Sequence, residues 1–349
     1  MSVRMLKNVI FIIFTISLFV ISGCTTNSNY ITVDGTALGT FVQVKCNTTQ
    51  SPETITSLIT EIDSQAKASM SIFDKNSLLS KINRNETEII DEHIAYNINL
   101  ARHFSELSGG AYDITIKPLT DAWGFGREHK KELNVNIDSI LCFVGYDKFA
   151  VDNNRIIKQD SRIELDLNSI AKGYVVDMVA KRLEEMSIED YMVNIGGEVR
   201  CSGKNPRGEM WSIGIETPYD GNDTPGASIQ QVISLTDCAM ATSGNYRRFY
   251  LDEQGNKVAH TIDPRTGKSA VTDLLSATVI APTCAEADAY GTMFMAMGAE
   301  RAIELASELA KDGVMVYFIV AGEGDNFKVY YSAALAPMLK ETAGYIAIK

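Results

Sequence analysis

The chain has 349 residues, 45% of them apolar and 8% aromatic, enough to bury a sizeable core in one large domain or two small ones. Its formal charge of −12, two units more negative once Arg4 and Lys7 are set aside with a leader, excludes nucleic acid and general attraction to anionic membranes. An anionic ligand would therefore need a local device: a metal ion, a helix N-terminus or a placed Lys or Arg.

Arg4 and Lys7 precede an apolar run from Val9 to Ile21, and Ser22, Gly23 and Cys24 follow. A membrane-spanning helix needs about 20 apolar residues, and this shorter run ending in small residues reads as a signal peptide over 1–23. Ile21-Ser22-Gly23-Cys24 resembles a bacterial lipobox, which implies that cleavage leaves Cys24 as an acylated N-terminus. An ordinary secretory signal cut slightly later is the plainer alternative. Either way the folded body, expected over 30–349 behind a polar tether at 24–29, lies outside the cytoplasm, and on the lipobox reading a lipid anchors it to the membrane.

From Tyr30 to Lys45 the β-branched and aromatic residues predict a strand pair, with Gly35 and Gly39 as breaks. Ile55, Leu58, Ile59, Ile62 and Ala66 fall at helical spacing behind Pro52, which predicts a helix over 53–68. A second helix is expected over 91–107, stopped by Gly109-Gly110. Residues 120–160 mix short elements and polar turns. A strand ending at Leu167 and a helix over 170–186 come next. Strands are expected near 190–203, 210–216, 229–236 and 246–251, with a hairpin turn at 252–257 leading into a strand over 258–262. A strand at 274–280, helices at 284–297 and 299–310, and strands at 313–320 and 327–331 complete the pattern. Helices and strands interleave without a regular βαβ rhythm, so the fold class is α+β rather than a doubly wound sheet.

Five cysteines remain after Cys24: Cys46, Cys142, Cys201, Cys238 and Cys284. Their odd number and lack of CxxC spacing make a stapled scaffold a poor reading, though one incidental disulfide stays open. Four scattered histidines do not suggest a zinc site.

Chemistry can sit in several segments. In LDLNSIAKGYVVD (165–177) the helix start after Asn168 or Ser169 could receive an anion, with Lys172 adding charge, or it could be a capped helix with a surface lysine. No GxxxxGK[ST] or GxGxxG is present, so neither a Walker loop nor a Rossmann fingerprint applies. Gly196-Gly197 in YMVNIGGEVRCSG (191–203) suits a hairpin or a close approach of backbone to a flat or phosphorylated ligand. Arg247-Arg248 in ATSGNYRRFY (241–250) could meet phosphate or surface carboxylates. In HTIDPRTGKSA (260–270), His260 could act as a general base or be structural, and Asp263-Pro264-Arg265-Thr266-Gly267 is a turn by composition. In CAEADAYGTMFMAMG (284–298), Asp288 and Thr292 fall on one helical face and could face a hard cation, or serve as a cap and a packed hydroxyl. Ala111-Tyr112-Asp113 and Trp123-Gly124-Phe125-Gly126 could stack on a ring or fill a core.

Taken together and in this order, the segments resemble the ApbE family of FAD:protein FMN transferases along essentially the whole mature chain. The resemblance implies a mixed fold with β-sheets flanked by helices. It implies Mg²⁺ held by Asp288, Thr292 and the backbone carbonyl of Ser169. It also implies FAD contacts at Leu38, Phe73, Ala111, Tyr112, Asp113, Asp166, Lys172 and Ile262. Leu38 stands where the family often has Met, a conservative swap. Phe73 stands where it often has Tyr or Asn, at a position tied to the balance between FMN transfer and FAD hydrolysis.

The reaction so implied is attack on the FMN phosphorus of FAD by a Thr or Ser hydroxyl of a partner protein, with AMP leaving. His260 is the candidate base, with Asp263 in reserve. The acceptors implied are extracytoplasmic subunits of Nqr-type or Rnf-type redox complexes, or related FMN-binding domains. Two other readings stay open on the sequence: an Mg²⁺-dependent FAD pyrophosphatase using water, and a non-catalytic flavin-binding lipoprotein.

Overall fold

The computed structural model describes residues 29–126, 136–220, 222, 224, 226–246, 248–324, 326–340 and 346–347. The leader, Cys24 and Arg247 lie outside these residues. Asn29, at the end of the expected tether, is already tied to the domain, its N–H donating to Asn47 Oδ1 at 3.1 Å. No helix among the described residues is long and apolar enough to cross a membrane.

In chain order the strands are β1 Tyr30–Ala37, β2 Thr40–Asn47, β3 Phe149–Asp152, β4 Arg155–Lys158, β5 Tyr191–Ile195, β6 Glu198–Ser202, β7 Trp211–Glu216, β8 Ile229–Leu235 and β9 Cys238–Gly244. They continue with β10 Phe249–Leu251, β11 Lys257–Ala259, β12 Ile262–Asp263, β13 Lys268–Ser269, β14 Leu274–Ala281, β15 Met315–Ala321, β16 Phe327–Tyr331 and β17 Ile346–Ala347. The helices are α1 Pro52–Met70, α2 Leu78–Asn83, α3 Glu92–Leu107, α4 Lys117–Ala122, α5 Ile137–Leu141, α6 Ala171–Glu185, α7 Cys284–Met297 and α8 Ala299–Leu309.

Among the described residues nine strands form one sheet in the order β1-β2-β5-β6-β9-β14-β15-β16-β17. Alternation along each strand sends side chains to two faces. Val44, Val193, Ala239, Ala241, Val279, Val316 and Phe318 face a core shared with helices α1, α3, α6, α7 and α8. Val199, Cys201, Met240, Ile280, Tyr317 and Ile319 face the other way, against the β7–β8 hairpin, which contributes Trp211, Ile213, Ile215, Ile233 and Leu235. The result is three layers: helices, a nine-stranded sheet and a covering hairpin. A small satellite cluster of Leu119, Val144 and Ile262 joins the segment around α4 and α5 to β12.

The expected α+β class and most helix and strand positions hold, and the exceptions have local causes. Gly35 does not break β1; the turn is Leu38-Gly39, both at positive φ (50° and 75°). No strand ends at Leu167. The Asn83 side chain instead pairs with Leu165, donating to its carbonyl and accepting its N–H at 2.8 Å each, so an amide stands in for a neighbouring strand. The strand expected over 246–251 begins only at Phe249, and β11 and β12 are separate pieces. β9 and the short α2 carried no strong signal: β9 reads CAMATSG, small residues where strands favour branched ones. That composition has a packing reason, because a Cβ on Gly291 of α7 would lie 2.9 Å from Ser243 Oγ, so helix and strand meet too closely for bulk.

Candidate functional site

The site forms where α6 and α7 begin beside two hairpin tips. Thr283 caps α7 in a reciprocal box with Glu286. Asp177 of α6 accepts the first N–H groups of α7, those of Cys284 and Ala285, at 2.9 Å each, and Arg200 of β6 braces it at 2.8 Å. Near its own start α6 comes against α7 at Gly173, where a Cβ would lie 2.2 Å from the Cys284 carbonyl oxygen. Glycine is what allows this approach. It sets the Gly173 N–H 3.0 Å from Asp288 Oδ2.

Lys172, one residue earlier, forms an ion pair with Glu198 and lies 4.0 Å from Asp288 Oδ1. Burial opposes its charge, but Asp288 and Glu198 outweigh burial and hold its pKa above the usual lysine range. Burial pushes the Asp288 carboxyl up to about 7, against the pull of Lys172. Two buried carboxylates thus face one ammonium, and Glu198 Oε2 is buried with no hydrogen-bond partner among the described residues. Such a surplus of buried negative charge and unpaired oxygen fits a cation. Asp288 and the partly exposed Thr292 one turn on offer the hard oxygen atoms that Mg²⁺ takes. Among the described residues no group of three or more His, Cys, Asp or Glu side chains is placed to hold a metal; the set implied here has one such side chain, with a hydroxyl and a carbonyl.

Glu198 was legible only as part of a glycine hairpin. The tip is the two-residue turn Gly196-Gly197, both at positive φ, joining Ile195 to Glu198 in register. A Cβ on Gly196 would lie 2.7 Å from Thr40 Cγ2, so this tip abuts the Leu38-Gly39 turn of the β1–β2 hairpin. Leu38 is held there by its N–H donating to Asp63 Oδ1 at 2.8 Å.

Ser169 lies in the turn before α6, and its Oγ donates to the Tyr112 hydroxyl at 2.9 Å. Tyr112 is buried, and burial raises its pKa well above the phenol range, with Asp288, Asp166 and Asp113 adding to the effect. Asp113 accepts from Thr115 N–H and Oγ at 2.8 and 2.7 Å, and burial pushes it up to about 6. Asp166 accepts the Asn168 N–H at 2.8 Å, and burial raises its pKa too. Ala111 is buried beside Tyr112. Phe73 follows α1 with 45% of its surface exposed, and its N–H is bound by Ser71 Oγ, which does not tie it to the others.

The start of α6 is less open to an anion than the sequence suggests. Its Ala171 N–H donates to Leu167 O at 2.8 Å and its Gly173 N–H is spent on Asp288. The positive charge at this end is that of Lys172, which Glu198 and Asp288 already outnumber.

His260 lies between β11 and β12, partly exposed, with Phe125 edge-on at 6.3 Å. Its Nδ1 is 3.2 Å from the Arg248 carbonyl oxygen, which can only accept, so Nδ1 carries the proton and Nε2 presents a lone pair. Burial, then the charges of Arg248 and Lys172, lower its pKa to about 4, so the ring is neutral at pH 7. Asp263 is engaged differently: Arg265 grips both carboxylate oxygens at 2.9 Å. Ile262 is buried in the satellite cluster. Trp123 Nε1 donates to the Gly267 carbonyl at 2.7 Å and the Phe125 ring lies 5.5 Å from Tyr250, so the Trp123–Gly126 segment packs onto the His260 strands.

The model of the ApbE family matches residues 38–318. The chain is 34% identical to the FAD:protein FMN transferase of Haemophilus influenzae, over 97% of this chain and 99% of that protein. It is 32% identical to the one from Vibrio cholerae, over 93% and 97%. Among solved structures it superposes on the flavin transferase ApbE of Vibrio cholerae with a TM-score of 0.78 at 31% identity, covering 88% of this chain and 99% of that one. The ApbE protein of Thermotoga maritima gives 0.78 at 28% identity, covering 89% and 100%.

Proposed function

This chain belongs to the ApbE family and transfers FMN from FAD to protein, and we propose that it does so at the Lys172–Glu198–Asp288 cleft with magnesium bound there. The observation that carries the siting is the excess of buried carboxylate over ammonium at this point. Asp288, Thr292 and the Ser169 carbonyl would hold the metal. When bound, it neutralises charge on the pyrophosphate oxygens.

The remaining work falls to side chains. Lys172 is the cation placed for the pyrophosphate, because its ion pair with Glu198 keeps it protonated and fixed at the start of α6. Leu38, partly exposed, offers apolar surface for the flavin portion, and the buried Ala111–Asp113 segment would back the site from behind. His260 takes the proton of the acceptor hydroxyl through Nε2, since the ring is neutral and its other nitrogen is committed to Arg248. Asp263, held by Arg265, shapes the turn beside it. AMP leaves, and the acceptor keeps FMN through a phosphoester bond.

The acceptor we infer is a Thr- or Ser-bearing domain of an extracytoplasmic flavoprotein, of the Nqr, Rnf or FMN-binding-domain kind. Acylation at Cys24 would hold the enzyme on the same membrane surface. The test is to incubate the full chain in detergent with FAD, Mg²⁺ and such a domain, denature, and read flavin fluorescence on the acceptor band together with AMP. Covalent fluorescence with stoichiometric AMP that a chelator abolishes supports the reading. Free FMN and AMP with an unmarked acceptor would make this chain a hydrolase under those conditions, and transfer unaffected by chelation would remove the metal.

A further inference from the structure

Cys201 of β6 and Cys238 of β9 sit directly opposite one another in antiparallel register. Both side chains point to the hairpin face of the sheet, Cys201 inside the cluster around Trp211 and Cys238 packed against it. The Cys201 thiol reaches the Cys238 backbone, with Sγ 3.8 Å from its carbonyl oxygen. Directly opposed residues of antiparallel strands have Cα atoms about 4.5–5.5 Å apart, within the roughly 4.4–6.8 Å that a disulfide spans. The other described cysteines are placed differently. Cys46 and Cys284 are sealed in the helix-side core, and Cys142 is exposed just after α5.

We propose that Cys201 and Cys238 are an oxidisable pair that closes to a cross-strand disulfide by exchange with an external disulfide. Cys238 is the entry point. It is partly exposed where Cys201 is buried, and a hydrogen bond from the Cys201 thiol lowers its pKa below the usual thiol range while that of Cys201 is raised. The Cys238 thiolate attacks one sulfur of R–S–S–R, forming a mixed disulfide and expelling RS⁻. Cys201 gives up its proton and attacks the Cys238 sulfur, expelling the second RS⁻. Both cysteines are oxidised, and the external disulfide is reduced to two thiols.

The bond would close a loop between positions 37 apart that contains the β7–β8 hairpin. Cross-linking a loop of this size stabilises chiefly by constraining the unfolded chain. It would also fasten β6, which carries Glu198 on its other face, to β9, which carries Ser243 against α7. The pair needs neither FAD nor the flavin-transfer reading.

The test uses the full chain, reduced and then exposed to glutathione disulfide, alkylated under denaturing conditions and digested for mass spectrometry. The expected result is a linked peptide joining Cys201 to Cys238, with both lost to alkylation, and a thermal midpoint about 5 °C higher than that of the reduced protein. Cys238→Ser should abolish the link and the shift. A glutathione adduct persisting on Cys238 with Cys201 still alkylated, or a link from either residue to another cysteine, would overturn the proposal; so would an unchanged thiol count.

Discussion

Asp288 Oδ2 accepts the Gly173 N–H at 3.0 Å, and this one contact ties the middle of α7 to the start of α6. It exists because Gly173 has no Cβ; one added there would lie 2.2 Å from the Cys284 carbonyl oxygen. Gly173→Ala should therefore force the helices apart, costing about 1–3 kcal/mol of stability. Displacing Asp288 by about an ångström should lower FMN transfer roughly 100-fold. Thermal unfolding and a transfer assay check both; normal transfer in this variant would mean that the close approach is not needed for the chemistry.

Asp288→Ala removes one of two buried carboxylates that crowd a single ammonium, while Lys172 keeps Glu198. The fold should persist, because relief of buried negative charge offsets the acceptor lost to the Gly173 N–H. Mg²⁺ binding followed by calorimetry, and metal-dependent FAD turnover, should both disappear. Retained turnover at saturating Mg²⁺ would place the ion elsewhere.

The helix carrying Asp288 and Thr292 was readable in the sequence because its cap, its apolar run and its closing glycine agree. The segments around Lys172 and His260 were legible as motifs in order. Nothing local in the sequence marks Glu198, because its contact with Lys172 is spatial. Only the β5–β6 turn brings it to Lys172, 26 residues earlier in the chain. β9 was missed for a related reason: its small residues answer to the closeness of α7, a tertiary demand that outweighs strand propensity. The Asn83–Leu165 pairing likewise lies outside any local pattern, since the two are 82 residues apart.

Glu198→Gln keeps the shape of the side chain and removes its charge. Lys172 then loses its nearest anion and is drawn toward Asp288, so transfer should fall about 10- to 100-fold, with kcat changing more than KM for FAD. Glu198→Asp should restore only part of the rate, because the shorter carboxylate sits back from the ammonium. A Gln variant with parental kcat would reduce the ion pair to a structural role.

On the proposed mechanism, in which Nε2 takes the proton of the acceptor hydroxyl, His260→Ala should suppress labelling of the acceptor by about 100-fold or more while FAD affinity changes little. Fluorescence titration with FAD beside the transfer assay separates the two. An equal loss of binding and labelling would make His260 a binding residue.

His260 and Asp113 also pull the pH dependence of stability in opposite directions. His260 has a folded pKa lowered from 6.5 to about 4, so over that window the unfolded chain holds more protons and stability is lost as pH falls. Asp113 is raised from 3.8 to about 6, so the folded chain takes up its proton first, and stability is gained as pH falls from about 6 toward 3.8. Between pH 6 and 4 the two offset one another. Asp113→Asn removes the titration and leaves an amide oxygen to accept from Thr115, while the Tyr146 backbone N–H loses its carboxylate acceptor. The variant should therefore lose stability more steeply than the parent from pH 6 to 4. Urea unfolding at intervals across this range measures the slopes; parallel curves for parent and variant would show that Asp113 titrates alike in the folded and unfolded chains.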